Sequence, residues 1–231
     1  MKKYLIREIF RSIQGEGPSV GQDCVFIRFS GCNLNCSFCD ENGATNVTWM
    51  TGEEILQRVD RLIPGVKHFR YRVVLTGGEP LLHVDSDLLT ALFGAGYVIC
   101  IETNGARDTQ KKMKIELEEL LNCEEMVVSP KDVPVSHRLL RAATCVKVLV
   151  DENGPIVGQR FSEIAKSACE ERSRKDLVLQ PVTLSPENWR LRDDSVQKGA
   201  EKALRIVRRR RKAYGEEWRI IPQTHVWMNL K

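Results

Sequence analysis

The sequence predicts an α/β protein: a partial (β/α) TIM-type barrel of about six parallel strands, in a single domain over residues 1–231. Two observations predict it. Six short β-branched runs are almost continuously apolar, as strands covered on both faces must be. Segments of helical periodicity separate these runs and leave room for right-handed crossovers.

The first run is CVFIRF (24–29). Before it, MKKYLIREIFRSIQGEG has its apolar stretches broken by Arg7, Glu8 and Arg11, which argues against a secretion signal. TGEEILQRVDRLI then offers Thr51 as N-cap, acidic residues in the first turn, and Ile55, Val59 and Leu62 along one face. YRVVLT (71–76) is the second strand, and DSDLLTALFGAG (85–96) is a helix capped by Asp85 or Ser86 and stopped by glycines. YVICIET (97–103) is the third strand, followed by an amphipathic helix over KKMKIELEELL (111–121). EMVVS (125–129) is the fourth, and PKDVPVSHRLLRAA forms a loop and a short helix. CVKVLV (145–150), a helix over EIAKSACEER (163–172), and DLVLQPV (176–182) complete the six strands. The longest helix is expected from about Pro186 to Lys212, with WRIIPQTHVW after it. In such a barrel the chemistry lies at the C-terminal ends of the strands.

A chain that is 42% hydrophobic and 29% charged can bury a sizeable core, which excludes disorder. It has no run of about 18 apolar residues, so neither export nor a membrane partner is indicated, and a cytoplasmic location is expected. Three of its eight cysteines fall within eight residues, a pattern that fits a metal site in a reducing compartment better than a disulfide framework. The net charge of +4 is mild. Arg208 to Arg211 and Lys212 read as a solvated helix end that complements the helix dipole; no interleaved aromatics point to nucleic acid, and none is expected as a partner.

The segment FSGCNLNCSFCD places Cys32, Cys36 and Cys39 directly after the first strand. Thiolates are soft ligands, suited to zinc or to iron–sulfur clusters. Structural zinc takes four protein ligands, yet no further Cys or His follows Cys39 at short spacing, and Cys24 lies within the strand. A 4Fe–4S cluster held by three cysteines leaves one iron open. That iron can bind the amino and carboxylate groups of S-adenosylmethionine, and the reduced cluster can pass an electron to its sulfonium. An iron–sulfur electron carrier or a zinc-stabilised binding module is the rival reading, although a carrier normally saturates every iron with protein ligands. Cys24, Cys100, Cys123, Cys145 and Cys169 sit in apolar contexts and read as core packing.

This spacing, with Phe38 before the third cysteine, resembles the radical S-adenosylmethionine superfamily over nearly the whole chain. The resemblance implies that Phe38, Cys39 and Asp40 lie along the nucleoside. Thr76-Gly77-Gly78-Glu79-Pro80 resembles the GGEP motif, with Gly78 and Glu79 receiving the methionyl amino group, and Glu102 and Asn104 suit ribose hydroxyls and an ammonium. Ile13-Gln14-Gly15-Glu16-Gly17, Arg28, Ser129-Pro130-Lys131, Gln180-Pro181 and Gln223-Thr224-His225 more closely resemble the 7-carboxy-7-deazaguanine synthase family.

That resemblance implies pterin contacts from Ile13, Gln14, Gly15, Glu16 and Thr76, and a bidentate pairing of Arg28 with the substrate carboxylate. Arg28 and Glu16 would be the catalytic pair. Ser129, Pro130, Lys131 and Gln180 would hold S-adenosylmethionine, while His225 and the terminal Lys231 would reach the substrate. Without the cysteine cluster, Gln14 and Glu16 read as an exposed polar turn, Arg28 as a surface salt bridge, and Lys131 as an exposed loop lysine. The resemblance further implies a homodimer, an external electron donor such as a flavodoxin, and a Mg²⁺ ion. For the last, the family has Asp-Thr where this sequence has Asp40-Glu41; Glu41 offers a carboxylate instead of a hydroxyl as the Mg²⁺ ligand. The implied reaction abstracts hydrogen from C6 of 6-carboxy-5,6,7,8-tetrahydropterin, contracts the ring to 7-carboxy-7-deazaguanine and releases ammonia. A glycyl-radical-enzyme activating protein is the alternative, which the Gln14 to Gly17 and Ser129 to Lys131 segments disfavour.

Overall fold

The computed structural model describes residues 2–39, 46–63, 70–169, 176–182 and 194–224. Asp40, Glu41, His225 and Lys231 lie outside the described residues. The strands form one ten-stranded sheet. At its antiparallel edge, β1 (Lys3–Ile13) lies between β2 (Asp23–Phe29) and β3 (Thr48–Thr51). From β2 the sheet runs parallel through β4 (Arg72–Gly77), β5 (Val98–Thr103), β6 (Glu125–Val128) and β7 (Cys145–Asp151). The two-residue β8 (Gly154–Pro155) hangs off β7, and the parallel run ends with β9 (Asp176–Pro181) and β10 (Trp218–Ile220). All six apolar runs are strands of this parallel array. Among the described residues its end strands do not pair with one another, as in a partial barrel.

β1 escapes a reading based on apolar runs because it sits at the antiparallel side with a half-exposed face. A register shift between Ile6 and Glu8 also breaks its alternation, so Tyr4 and Ile6 are buried and the next buried residue is Ile9. β3 and β10 are too short to show a period.

The helices follow the capping signals. Thr51 and Glu54 form a reciprocal capping box at the start of α1 (Gly52–Leu62), and Asp85 caps α2 (Ser86–Gly94) by accepting from the Leu88 N–H. The helix expected over 111–121 is instead two pieces, α3 (Arg107–Lys112) and α4 (Leu117–Leu120). Met113 is extended and Lys114 bridges to Asp85, which buries Ile115 and stops the first piece; a Glu116–Glu119 capping box starts the second. α5 (His137–Ala142) and α6 (Phe161–Cys169) lie where expected, and α7 (Asp194–Tyr214) is the longest helix among the described residues; the expected helical positions 170–172 and 186–193 lie outside them.

Period-2 alternation sorts each parallel strand into two faces. Val25, Ile27, Phe29, Val73, Leu75, Ile99, Ile101, Val146, Val148 and Leu179 point into the main core under the helices. Each such buried side chain contributes roughly 1.5–3 kcal/mol. The opposite face carries Cys24, Phe26, Val74 and Cys100 in one small cluster and Val127, Cys145 and Val178 in another. Towards the C-terminal strand ends this inner face turns polar, with Arg28, Thr76, Glu102, Lys147 and Gln180 from five strands lining one cavity. A sheet whose separate strands share a cavity must curve around it, as an open barrel does. At the other end of the strands, Arg72 pairs with Glu125 at 3.3 Å and donates to Cys100 Sγ at 2.8 Å, closing the floor.

Candidate active site

The strand ends are locked together by two glycine-dependent contacts. Gly78 N–H donates to the Phe29 carbonyl and Glu79 N–H to the Gly31 carbonyl, each at 2.9 Å. Gly77 has φ +107°, and a Cβ on Gly78 would lie 2.6 Å from the Gly31 carbonyl carbon. The loop after β4 therefore lies directly against the segment leading to Cys32, an approach that only glycine permits.

Glu79 is fully buried behind this contact. Its Oε1 accepts from Leu81 N–H (3.1 Å) and the Thr103 hydroxyl (2.7 Å), and its Oε2 accepts from Asn104 N–H (2.8 Å). It thus braces the ends of β4 and β5 from behind, and it is absent from the cavity lining, as is the buried Pro130. Burial pushes the Glu79 carboxyl up from 4.5 to about 7, against the pull of its donors. An acid raised in this way contributes stability that is complete below its unfolded pKa and is lost as pH rises through about 7. Glu79→Gln removes that titration. Its melting temperature is expected to fall less steeply than wild type between about pH 5 and pH 8. Because the new amide also sets N–H groups against donors, the variant should lose about 1–3 kcal/mol at the acid end, as read by calorimetry.

The cysteine loop is held from the side. Asn33 Nδ2 donates to Asp108 (3.1 Å) and to the Thr109 hydroxyl (3.0 Å), and Asn104 Nδ2 donates back to Asn33 Oδ1 (3.1 Å). Asn104 Oδ1 accepts from Ala106 N–H and the Thr109 hydroxyl, both at 2.8 Å. Cys32, Cys36 and Cys39 are all free thiols that line the cavity and act electrostatically on one another. Burial pushes the Cys32 and Cys36 thiols up, while Lys131 opposes this at Cys36. Among the described residues no three Cys, His, Asp or Glu groups form a site for a single metal ion. In a 4Fe–4S cluster each protein thiolate takes a different iron, so its sulfur ligands stand further apart than those around one ion.

The cavity, about 230 Å³, has room for organic ligands rather than a few ordered waters. On the cysteine side, Phe38, Gly78, Asn104, Ser129 and Lys131 line it. Lys131 Nζ donates to the Ser129 hydroxyl (2.8 Å) and carbonyl (3.0 Å), and burial together with Lys147 pushes its amine down to about 8. Gln180 is 1% exposed, and neither end of its amide has a partner among the described residues. A buried amide without partners on a cavity wall is built for a ligand.

Ile13, Gln14, Gly15 and Glu16 line the same cavity. Gln14 is buried, donating to Glu102 at 3.0 Å and accepting from Glu16 N–H at 3.1 Å, while the Thr76 hydroxyl donates to the other Glu102 oxygen at 2.9 Å. Glu16 pairs with Lys147 and accepts from Gln223 Nε2 at 2.8 Å. Thr224 donates from both its N–H and its hydroxyl to the Gly15 carbonyl, each at 3.0 Å. Arg28 pairs with Glu8 at 3.0 Å across β1 and β2 and lies over the Phe10 ring at 5.0 Å. These polar groups form an interior wall rather than a surface turn.

Residues 26–140 match the Radical SAM superfamily. A 7-carboxy-7-deazaguanine synthase of Aquifex aeolicus is 33% identical over 232 residues, covering 98% of this chain and 94% of the relative. The chain belongs to the 7-carboxy-7-deazaguanine synthase family. A second family member, from Burkholderia multivorans, is 30% identical over 98% of this chain and 99% of its own length. The match to a Bacteroides thetaiotaomicron member is 52% identical over 102 residues, so there the chain spans about half the relative's length, 52%. In fold, the chain is similar to the crystal structure of QueE from Escherichia coli, with a TM-score of 0.66 at 22% identity over 94% of this chain and 93% of that one. Radical SAM family membership implies a 4Fe–4S cluster and S-adenosylmethionine. The donor set fits both, with three free thiols, a glycine-lined approach and an unpartnered buried amide around one cavity.

Lys147 is the lining residue that the sequence reading passed over. The signal was present, since a lysine inside the apolar run CVKVLV shares its face with Cys145 and Leu149 and must find a buried partner. Phe10 also lines the cavity, from a strand the apolar runs did not reveal, and Gln223, already marked by its resemblance to a family signature, lines it from beyond the longest helix.

Proposed function

We propose that this chain converts 6-carboxy-5,6,7,8-tetrahydropterin to 7-carboxy-7-deazaguanine with loss of ammonia, in the biosynthesis of queuosine and related 7-deazapurines. One observation carries the reading. The three free thiols and the Gln14, Glu16 and Arg28 side chains border the same cavity, so a cluster-bound cofactor and a pterin would lie side by side.

In this reading Cys32, Cys36 and Cys39 hold the cluster, which with S-adenosylmethionine supplies the hydrogen-atom abstraction that starts the reaction. Ser129, Lys131, Gln180, Glu102, Asn104 and the Gly78 backbone hold the cofactor, with Phe38 against the adenine. Arg28, steered by Glu8 and packed on Phe10, takes the substrate carboxylate in a fixed direction. Gln14, Glu16 and Thr76 fix the pyrimidine ring. The apolar side chains of Phe10, Phe26 and Leu149 keep water from the reacting face. The protein's contribution is mostly positioning. A Mg²⁺ ion that Glu41 would hold, a homodimer, a flavodoxin-like donor, a cytoplasmic location and a single-domain chain belong to the same proposal. No described helix is long and apolar enough to cross a membrane.

The test is anaerobic incubation of the reduced, reconstituted enzyme with S-adenosylmethionine and carboxytetrahydropterin. Expected are the ultraviolet spectrum of the deazaguanine and one ammonia per product, with many turnovers per S-adenosylmethionine. Cofactor cleavage with the pterin recovered unchanged would refute the reading.

A further inference from the structure

The Glu16–Lys147 pair is a deeply buried salt bridge. Lys147 stands mid-strand on β7 with its side chain 6% exposed, and it borders the cavity. An ammonium has three donors, and among the described residues this one has Glu16 as its only hydrogen-bond acceptor. Burying two charges costs more than an apolar pair of the same volume, so such a pair on a ligand-facing wall calls for a ligand that uses it. Glu16 is held from its other oxygen by Gln223, which leaves the carboxylate and the ammonium side by side in a fixed order. The other charges acting on Lys147 and its neighbours are Glu102 and Lys131.

A 2-amino-4-oxopyrimidine edge presents, in order, an amino donor, a ring N–H donor and a carbonyl acceptor. A carboxylate beside an ammonium presents the complement. We propose that Lys147 is a substrate-specificity residue that donates to the 4-oxo oxygen of the pterin while the Glu16 carboxylate accepts from the ring N3–H and the 2-amino group. This rests on the pterin reading above and extends it to a residue on β7. The same edge survives in the deazaguanine, so substrate and product are gripped alike, and only the far side of the ring changes during the reaction.

The test uses reconstituted protein and 6-carboxypterin, an oxidised analogue that does not turn over, labelled with ¹³C at C4. Isotope-edited infrared spectra read the carbonyl directly, and calorimetry reads affinity. In wild type the bound carbonyl stretch is expected below its position in water. In Lys147→Met it moves back up, and affinity falls about 10- to 100-fold, the range of a charge-assisted hydrogen bond. Lys147→Arg restores much of the lowered stretch. If Lys147→Met does not fold with Glu16 unpaired, the neutral pair Glu16→Gln/Lys147→Met gives the same raised stretch in a folded protein. A stretch identical in wild type and the Lys147 variants overturns the assignment with the pterin reading intact. Failure of wild type to bind 6-carboxypterin overturns both.

Discussion

Cys32→Ala is expected to purify as a folded protein whose reconstituted iron shows no response to S-adenosylmethionine by electron paramagnetic resonance, and to cleave no cofactor. Cys32 keeps an exposed surface although its sulfur is partly desolvated, and its loop is anchored by Asn33 and Asn104 rather than by packing, so the cost in stability should stay small, about 0.5 kcal/mol. The effect on chemistry is total because two thiolates would leave two irons without protein ligands. Cys145→Ala is the contrasting control. Cys145 is fully buried in the inner-face cluster with Val127 and Val178, so its loss lowers the melting temperature and leaves the spectrum unchanged. A Cys32→Ala protein that retains cofactor cleavage would remove Cys32 from the cluster.

Gly78→Ala is expected to be a strongly damaging single-methyl change in the site. The added carbon would meet backbone, the Gly31 carbonyl, which already accepts from Glu79 N–H. Backbone cannot rotate aside as a side chain can. The β4 loop must therefore withdraw from the segment preceding Cys32, at a cost of about 1–3 kcal/mol or more. Cofactor affinity and iron occupancy should fall along with stability, because both walls of the cleft are displaced. Gly52→Ala supplies the comparison: a Cβ there meets nothing within 4 Å, so that variant should melt at or above wild type. Wild-type iron content and cofactor affinity in Gly78→Ala would show that the approach of the two loops is not what shapes the site.

The parallel core was readable because a strand covered on both faces has few polar positions to break its run, and each of the six runs proved to be a strand of the parallel array. The edge was harder to read. β1 mixes Arg7, Glu8 and Arg11 with its buried residues, and its register shift removes the remaining regularity. The split between α3 and α4 was hidden for another reason: Lys114 gives up helical geometry for a tertiary bridge to Asp85, which no local pattern encodes.

For the site, motif residues at strand ends were legible because glycines, cysteines and acids in these contexts have few other uses. Direction was less legible than identity. Glu79 stands in the motif yet faces away from the cavity, whereas Lys147 stands in no motif and faces it. Gln180 was legible only by resemblance, and it is the unpartnered state of its amide, a property of three-dimensional packing, that gives it independent weight.

Glu16 is tied to Gln223 across 207 positions of sequence, and Gly15 to Thr224 across 209. Contacts so distant are the non-local kind that slows folding, although the entropy of closing so long a loop grows only slowly with its length. The Gly15–Glu16 wall of the cavity is therefore closed by residues from both ends of the described chain, whereas the cysteine loop is anchored by Asn104, Asp108 and Thr109 from its first half. A chain shortened to end before Gln223 would therefore keep every anchor of the cysteine loop and lose the clasp on the Gly15–Glu16 side of the cavity.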